Sequence, residues 1–291
     1  YGKSKNQLLS IEEARKRKFN IDWKNYKIKK PRFEGIKTYE DFPLHEIADY
    51  IDWSPFFHAW ELKGKYPEIF NDNIIGNEAR KLFDDARSML DNILVNKLLT
   101  AKAVFGIFKA LPIEESVKCG NIKFDFPRQL LDKGKDKNNF CLSDFIAPRG
   151  DYLGVFALST GHDLQNIVEQ YEKNNDDYNV IMAKLIADRL AEAFAEKLHE
   201  LVRKDFWGYD NLENLNNEDL IREKYNGIRP APGYPSCPNH AEKDKIWKLL
   251  DVINNTGITL TETRAMFPAA SICGWYFSHP ESFYFSVKQN H

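Results

Sequence analysis

Two segments of the chain carry apolar residues at helical spacing. The first predicts a helix over 77–95, and the second, capped by Asp176 or Asp177, predicts a longer one over 177–204. In both, apolar side chains recur three and four positions apart, which places them on one face of a helix. The stripe of the longer helix comprises Ile181, Met182, Leu185, Ile186, Leu190, Ala193, Phe194, Leu198, Leu201 and Val202.

The remaining regular segments are shorter, and several alternate apolar and polar residues as half-buried strands do. Strands are predicted at 103–110, 152–158, 259–266 and 281–288, with a hairpin of 113–118 and 121–126 around Cys119-Gly120; further helices are predicted at 38–49, 217–225 and 241–254, the last closed by Gly257. Helices and hairpin strands that do not alternate strictly favour an α+β domain over a doubly wound one.

Composition narrows the class of protein. Of 291 residues, 43% are hydrophobic and 29% charged, which is typical of a soluble globular protein. No apolar run approaches the roughly 20 residues that span a bilayer. The four cysteines (Cys119, Cys141, Cys237 and Cys273) form no CxxC pair and fit a reducing cytoplasm. The half-motif Cys237-Pro-Asn-His240 has no second ligand pair, so no metal site is predicted.

The charge is distributed unevenly. Residues 1–33 hold eleven Lys or Arg against three acids, which gives this segment a net charge of +8. The whole chain has a net charge of −2, so the rest of the chain carries −10. We predict that 1–37 is an interdomain linker or basic arm and that 38–291 is the folded domain. The arm is either solvated or binds an acidic partner, a lipid surface or nucleic acid. The body has no basic patch interleaved with aromatics, which argues against nucleic-acid binding as the main function.

The chain contains none of the common catalytic motifs GxGxxG, P-loop, HExxH or GxSxG. Its most unusual segment is 227–238, which has four prolines between positions 230 and 238, together with Gly233. Such a loop is rigid and extended, and leaves backbone groups free to meet a ligand. Arg229 offers a planar fork to a carboxylate or phosphate. The alternative is a connector in which Arg229 forms a structural salt bridge.

Asp52 and a row of three acids on the long helix also have two interpretations each. Asp52 lies between large apolar residues in Tyr50-Ile-Asp-Trp53, where it binds a ligand's ammonium or hydroxyl groups, or caps a helix. Asp188, Glu192 and Glu196 follow each other at spacing four on the long helix, the pattern of a solvated face. Glu192 stands at the edge of the apolar stripe and could point into a cleft.

The aromatic run 274–285 is explained mostly by a core strand with a turn at His279-Pro280. A stacking wall for a planar ring is the alternative.

Five blocks together resemble the C-terminal activation domain of cobalamin-dependent methionine synthase. They occur in the family's order and are Tyr50-Ile-Asp-Trp-Ser-Pro-Phe-Phe57, Leu62-Lys-Gly-Lys-Tyr-Pro67, Ala187-Asp-Arg-Leu-Ala-Glu-Ala-Phe-Ala195, Arg229-Pro-Ala-Pro-Gly-Tyr-Pro235 and Gly274-Trp-Tyr-Phe-Ser-His-Pro280. The resemblance runs from about residue 20 almost to the end. The chain departs from the family in stopping where a helical tail continues and in having Phe285 where a second Tyr is frequent.

The resemblance implies a C-shaped single domain with a bent antiparallel sheet flanked by helices. It also implies a reactivation function in methionine biosynthesis: S-adenosylmethionine donates a methyl group for the reductive methylation of cob(II)alamin, with an electron from a flavodoxin-type reductant. Cobalamin would lie on a neighbouring domain of the same full-length chain, and the isolated fragment is not expected to turn over. The start at Tyr1, without an initiator Met, agrees with a piece cut from a longer chain.

The resemblance also implies a set of binding residues and no catalytic ones. Arg229 would hold the methionine carboxylate, Asp52 a cationic or hydroxyl group, and Tyr284 with Phe285 the adenosyl side. Ala231 would contribute a backbone contact. Glu192 and Tyr234 match residues near the site, with Tyr234 facing the cobalt. The alternative function is a stand-alone, non-catalytic module that binds S-adenosylmethionine and docks on a partner in trans.

Overall fold

The computed structural model describes residues 7–287 of the chain. The helices are α1 (Ile11–Lys16), α2 (Leu44–Ala48), α3 (Ser54–Ala59), α4 (Gly76–Asn96), α5 (Leu164–Glu172), α6 (Asp177–Leu201), α7 (Asn217–Ile221), α8 (Glu242–Leu250) and α9 (Val252–Thr256). The strands are β1 (Gly35–Tyr39), β2 (Thr100–Ile113), β3 (Ser116–Cys119), β4 (Ile122–Asp125), β5 (Asp151–His162), β6 (Thr259–Leu260), β7 (Met266–Phe267) and β8 (Ser271–Tyr276).

One antiparallel sheet organises the molecule. Its order is β4-β3-β2-β5-β8, and β1 pairs with the first half of β2 while β3 pairs with the second half. The sheet is curled and flanked by helices, which confirms the α+β class with a bent antiparallel sheet. The short strands β6 and β7 form a separate hairpin.

The sheet is buried on both faces, which explains why β2 and β5 are almost continuously apolar. Alternate residues of β2 point to opposite sides: Phe105 and Ile107 pack with α4 and α6, whereas Val104 packs in a second cluster with α8. In the same way, β5 directs Phe156 to the first cluster and Val155 to the second. The two cores make the sheet a fixed support for the loops at its edge.

The helix α6 matches its predicted position and supplies one wall of the site described below. It begins after Asp176, whose side chain accepts a hydrogen bond from the Asn179 N–H, and it continues beyond Leu201 as a π-helical turn, Val202–Phe206. Most of the predicted apolar stripe is buried, but Ile181 is 47% exposed. The helix α4 and the β3–β4 hairpin also confirm their predictions.

Five sequence predictions of secondary structure are wrong, wholly or in part. The helix predicted over 217–225 ends at Ile221, as α7. Residues 38–49 are split between the end of β1 and the short α2, because β1 pairs with β2. The helix predicted over 241–254 is interrupted by Asp251, whose φ of 48° ends α8. Only the ends of the predicted strand 259–266 are extended, as β6 and β7. Residues 281–287 form no strand, and residue 288 lies outside the described range.

The part of the basic arm that precedes β1, residues 7–34 as described, lies against the body. The Leu9 N–H donates to the Leu130 carbonyl at 2.8 Å, and the Trp207 indole N–H donates to the Lys29 carbonyl at 2.9 Å. Arg15 forms ion pairs with Glu114 and Glu115. Whether this segment also joins the body to another domain stays a prediction.

Candidate functional site

The proline-rich loop 227–238 is attached to the free edge of β8. Ile228 and Phe277 exchange two backbone hydrogen bonds of 3.0 Å, and the Trp275 N–H donates to the Pro230 carbonyl at 3.0 Å. Gly274 allows this approach, because a Cβ there would lie 2.5 Å from the Pro230 carbonyl oxygen. The loop therefore extends the sheet by a short, irregular strand.

A tight turn at Gly233 reverses the loop. Its φ is 93°, and a Cβ there would lie 2.2 Å from the His240 ring, so the position requires glycine. The Gly233 N–H donates to the Cys237 carbonyl at 2.8 Å. The turn brings the next residue, Tyr234, to the surface, where its side chain is 61% exposed.

The C-terminal tail, residues 282–287, lies along the outer side of this loop. The Val287 N–H donates to the Pro235 carbonyl at 2.7 Å, and the Tyr284 hydroxyl accepts a hydrogen bond of 3.0 Å from the Arg229 N–H. Two distant parts of the sequence thus meet and leave a space between them and α6.

That space is a cavity of about 510 Å³. Its lining includes six of the seven residues that the sequence analysis selected: Glu192, Arg229, Ala231, Tyr234, Tyr284 and Phe285. Asp52 lines a neighbouring cavity of about 360 Å³, to which Glu192, Glu223 and Arg229 also contribute. All seven residues therefore surround two adjoining cavities.

Asp52 makes a hydrogen bond at the start of a helix, close to the capping role that was one of its two interpretations, although the N-cap residue of α3 is Trp53. Its Oδ1 accepts a hydrogen bond of 2.9 Å from the Ser54 N–H at the start of α3. The side chain is half-buried and lines the smaller cavity all the same. This hydrogen bond and ligand binding are therefore compatible at this residue.

Arg229 is held by side chains from two directions. Its Nη2 forms an ion pair with Oε1 of Glu196, and its Nη1 donates to the Tyr225 hydroxyl at 3.0 Å and contacts His199 Nδ1 at 3.4 Å. The structural salt bridge foreseen as an alternative is therefore present. The guanidinium also lines both cavities, so the ion pair does not remove it from the site.

Burial sets the protonation of the aromatic groups behind Arg229. It holds the pKa of His199 well below 6.5, with a further lowering from Arg203, so the ring is neutral and its Nδ1 can accept from Arg229. The His199 ring stacks on Tyr276 at 5.1 Å, and Tyr276 stacks on Phe156 at 4.6 Å. Burial likewise raises the pKa of Tyr276 well above 10. This layer is neutral and rigid, and Phe156 continues it to the cavity wall.

Part of this lining was not predicted from the sequence, and the environment predicted for one acid, Glu196, is wrong. Glu196 was assigned to a solvated face, but only 9% of it is exposed, because α6 turns this position towards Arg229. Glu223 lines both cavities, and although the residue is exposed as a whole, partial desolvation raises the pKa of its carboxyl group. Its φ of 55° lies in the left-handed region, which no sequence pattern predicted. For Glu196 a signal existed: the residue lies three positions after Ala193 of the stripe, a spacing that puts two residues on the same face of a helix.

Other kinds of site find no support in the described residues. Within 7–287, no group of three or more His, Cys, Asp or Glu is placed to hold a metal ion. None of the helices in that range is long and apolar enough to cross a membrane. The four cysteines are free and buried, and burial raises the pKa of each thiol to about 12.

Fold and cavity together define a class: a single α+β domain with a cavity of small-molecule size between a helix and a rigid loop at the sheet edge. Comparison with known proteins makes this specific. Residues 43–291 match the family described as vitamin B12 dependent methionine synthase, activation domain, and the chain belongs to that family. It is also similar to a crystal structure of the MetH reactivation domain bound to AdoHcy, with a TM-score of 0.94 and 45% identity. That match covers 97% of this chain and 90% of the other. The resemblance seen in the sequence is thereby confirmed.

Proposed function

We propose that this chain binds S-adenosylmethionine in the cavity between α6, the loop 227–238 and the C-terminal tail, and presents its methyl group for the reactivation of cobalamin. The observation that carries the proposal is convergence: six residues, far apart in the sequence, line one cavity of about 510 Å³. That volume is in the range of small-molecule sites. The similar reactivation domain bound to AdoHcy, the demethylated product, supports the same ligand class.

The polar residues suit the two ends of the ligand. Arg229 is the cation of the larger cavity and would bind the methionine carboxylate, because its planar fork matches a carboxylate. Asp52, in the adjoining cavity, would bind an ammonium or hydroxyl group. Tyr284 and Phe285 of the tail would contact the adenosyl side, and Ala231 would offer a backbone contact.

Glu192 and Tyr234 occupy the open side of the cavity. Both are exposed, and the pKa of Tyr234 is raised by partial desolvation and by the nearby Glu192. A carboxylate there favours a sulfonium cation by charge attraction. We place the reacting methyl group at this side, with Tyr234 facing the cobalamin.

The chemistry requires little of this chain. Cobalamin on the neighbouring domain would supply the nucleophile, and the thioether released from the sulfonium is a good leaving group. Transfer of a methyl cation moves no proton, and the sulfonium becomes a neutral thioether. No general base or protein nucleophile is needed, so the residues of the cavity contribute binding and orientation.

The proposed setting is a larger enzyme. We infer that the domain acts beside the cobalamin-binding domain of the same full-length methionine synthase, receives one electron through a flavodoxin-type reductant, and does not turn over alone. A cytoplasmic location is proposed, since four free cysteines suit a reducing compartment.

Calorimetric titration of the chain with S-adenosylmethionine and with S-adenosylhomocysteine tests the binding site. We expect saturable binding of both at one site per chain and a rise in melting temperature with ligand concentration. Adenosine alone should bind more weakly, because it lacks the group that Arg229 holds. Absence of saturable heat with either ligand, on a sample with a cooperative melting transition, would contradict the proposal.

A further inference from the structure

The guanidinium of Arg229 already has an anionic partner before any ligand arrives. Glu196 Oε1 accepts from Nη2, while Tyr225 and His199 occupy Nη1. The Arg229 side chain is 17% exposed and the Glu196 side chain 11%. A carboxylate that enters the cavity therefore meets an ion pair, whose net charge is close to zero, and not a free cation.

The hydrogen bonds of this cluster show which contact can be exchanged. Tyr225 and the neutral His199 bind Nη1 without charge, and they hold the guanidinium in place whatever happens at Nη2. A ligand carboxylate that binds at Nη2 competes directly with Glu196. Displacement alone would leave Glu196 buried without a counter-charge, which is strongly unfavourable.

The second oxygen of Glu196 indicates how this cost is avoided. Glu196 lines the smaller cavity, and within residues 7–287 its buried Oε2 has no hydrogen-bond donor in reach. Buried carboxylate oxygens are normally paired. Because Glu196 Oε2 lies at a cavity wall, it can accept a hydrogen bond from a cationic group of a ligand.

We propose that the amino-acid end of the ligand inserts its two charges into the Arg229–Glu196 ion pair, its carboxylate binding Arg229 and its ammonium binding Glu196. One internal ion pair is exchanged for two pairs with the ligand, and no charge is left unpaired. The inference rests on the proposed function and makes Glu196 a specificity-determining residue. It selects ligands that carry both charges over those that carry one.

Other acids near the cavities are less suited to this role. Glu192 and Glu223 are exposed, so water competes for their contacts and weakens the interaction. Asp52 is only half-buried and one of its oxygens already accepts from the Ser54 N–H, which leaves it the hydroxyl contact of the two contacts proposed for it. Arg189 lines the smaller cavity as well and adds positive charge there. Glu196 is the acid that touches Arg229 and has a buried oxygen to offer.

A ligand series tests the exchange on the unmodified protein. The four probes are S-adenosylhomocysteine, its deamino analogue, its decarboxylated analogue and 5′-methylthioadenosine, which carry both charges, the carboxylate only, the ammonium only, and neither. We expect S-adenosylhomocysteine to bind at least about tenfold tighter than methylthioadenosine. Each singly charged ligand should bind no better than methylthioadenosine, because it breaks the internal pair and replaces one half of it. If each charge adds affinity independently, the exchange is refuted.

The variant Glu196→Gln tests the residue itself, because it should change the affinity for two ligands in opposite directions. It should weaken S-adenosylhomocysteine by about tenfold, since the ammonium loses its anion, and it should tighten the deamino analogue, since Arg229 loses a competitor. A purely structural role would weaken both ligands equally, and that result, or no effect on either, would overturn the proposal. The matched control is Asp144→Asn, which breaks the buried Asp144–Arg128 pair on the other side of the sheet and should lower stability without changing ligand preference.

The two hypotheses fail in different ways. If the wild-type chain binds none of the four probes, both the proposed function and the exchange are wrong. If it binds S-adenosylhomocysteine but the charges act additively, the binding function stands and the exchange alone is wrong. The series on the wild-type chain distinguishes these two cases even if Glu196→Gln does not fold.

Discussion

At the scale of single residues, Arg229 contacts both α6 and the C-terminal tail, which is more than ligand binding alone would require. Its side chain contacts Glu196 and His199 of α6, and its backbone N–H donates to the Tyr284 hydroxyl of the tail. A residue that is both part of the fold and part of the site has consequences for stability as well as for affinity. Measuring only one of the two would misassign it.

Replacing Arg229 separates these roles. Arg229→Ala should reduce affinity for S-adenosylmethionine by roughly 2–5 kcal/mol, about thirtyfold or more, as for one partner of a buried charge pair. It should also lower the melting temperature, because Glu196 loses its counter-ion. Arg229→Lys should lose much of the binding as well, since an ammonium cannot reproduce the planar fork. The control is Arg264→Lys, where the guanidinium pairs with Asp244 on α8. A destabilised Ala variant that binds normally would refute the ligand role.

His279 predicts a pH dependence of stability. It is 2% exposed, and burial lowers its pKa from 6.5 to about 4. Between these two values the unfolded chain binds a proton that the folded chain does not, so the free energy of unfolding should fall as the pH drops from 6.5 to about 4. The loss from this residue should be of the order of 1–3 kcal/mol.

Urea unfolding of the wild type and of His279→Asn between pH 7.5 and 4.5 checks this expectation. The amide can still accept the Glu281 N–H that Nδ1 accepts in the wild type, at 3.1 Å. The variant should show a shallower loss of stability over this range. Parallel pH profiles would mean that His279 protonates freely in the folded state.

At the scale of elements, the arm and the tail depend on each other. Phe19 of the arm packs edge-on against Phe283 at 5.7 Å, and Trp23 and Tyr26 hold the His279 ring at 4.8 and 4.2 Å. The contacts lie just before the tail residues that line the cavity. The arm therefore supports the tail from outside, at a distance from the ligand.

Removing this support should weaken ligand binding without touching the cavity. For Trp23→Ala we expect a loss of about 0.5–2 kcal/mol in affinity for S-adenosylhomocysteine, the usual size of an effect transmitted through packed side chains. Arg15→Ala is the matched control, because it releases the same arm from Glu114 and Glu115, in the turn between β2 and β3. Calorimetry on both variants decides. Equal losses would show that the arm matters only through general stability.

At the scale of the whole molecule, the domain holds a binding site but needs a partner for chemistry. The isolated chain should bind S-adenosylmethionine and transfer no methyl group in the absence of a cobalamin-binding domain. The measurement is the formation of S-adenosylhomocysteine with free, reduced cobalamin as acceptor. A rate well above that of the same mixture without protein would contradict the proposed division of labour.

The charge of the arm remains the best guide to the reductant. Arg15 and Arg17 are engaged in ion pairs with the body, whereas Lys16 and Lys18 are exposed. Exchanging these two lysines for Gln should slow association with an acidic flavodoxin-type protein several-fold at low salt, because exposed charges act mainly on the association rate. The same exchange at Lys65 and Lys81, exposed on the body, should have less effect. Equal association rates for all three proteins at low ionic strength would leave the arm without a role in docking.

The sequence by itself determined the elements whose apolar side chains recur with a regular period and therefore lie on one face. α4, α6 and the β3–β4 hairpin follow from spacing alone, because a helix or strand buries a face wherever its apolar residues recur with the right period. The proline-rich loop and Gly233 were also visible, since their backbone restrictions are local. Together with five ordered motifs, these features were enough to indicate the family and to select residues that surround the cavities.

Only the tertiary structure decided which groups meet. Nothing in the sequence pairs Glu196 with Arg229, because a carboxylate on a helix is solvated or buried according to what packs against that face. Residues 281–287 look like a strand but find no partner strand among the described residues, since the tail lies on the loop instead. The arm looked like a linker because its contacts are with residues about 100 positions away. Local patterns fix local conformation, whereas charges and chain ends are placed by contacts that are distant in sequence.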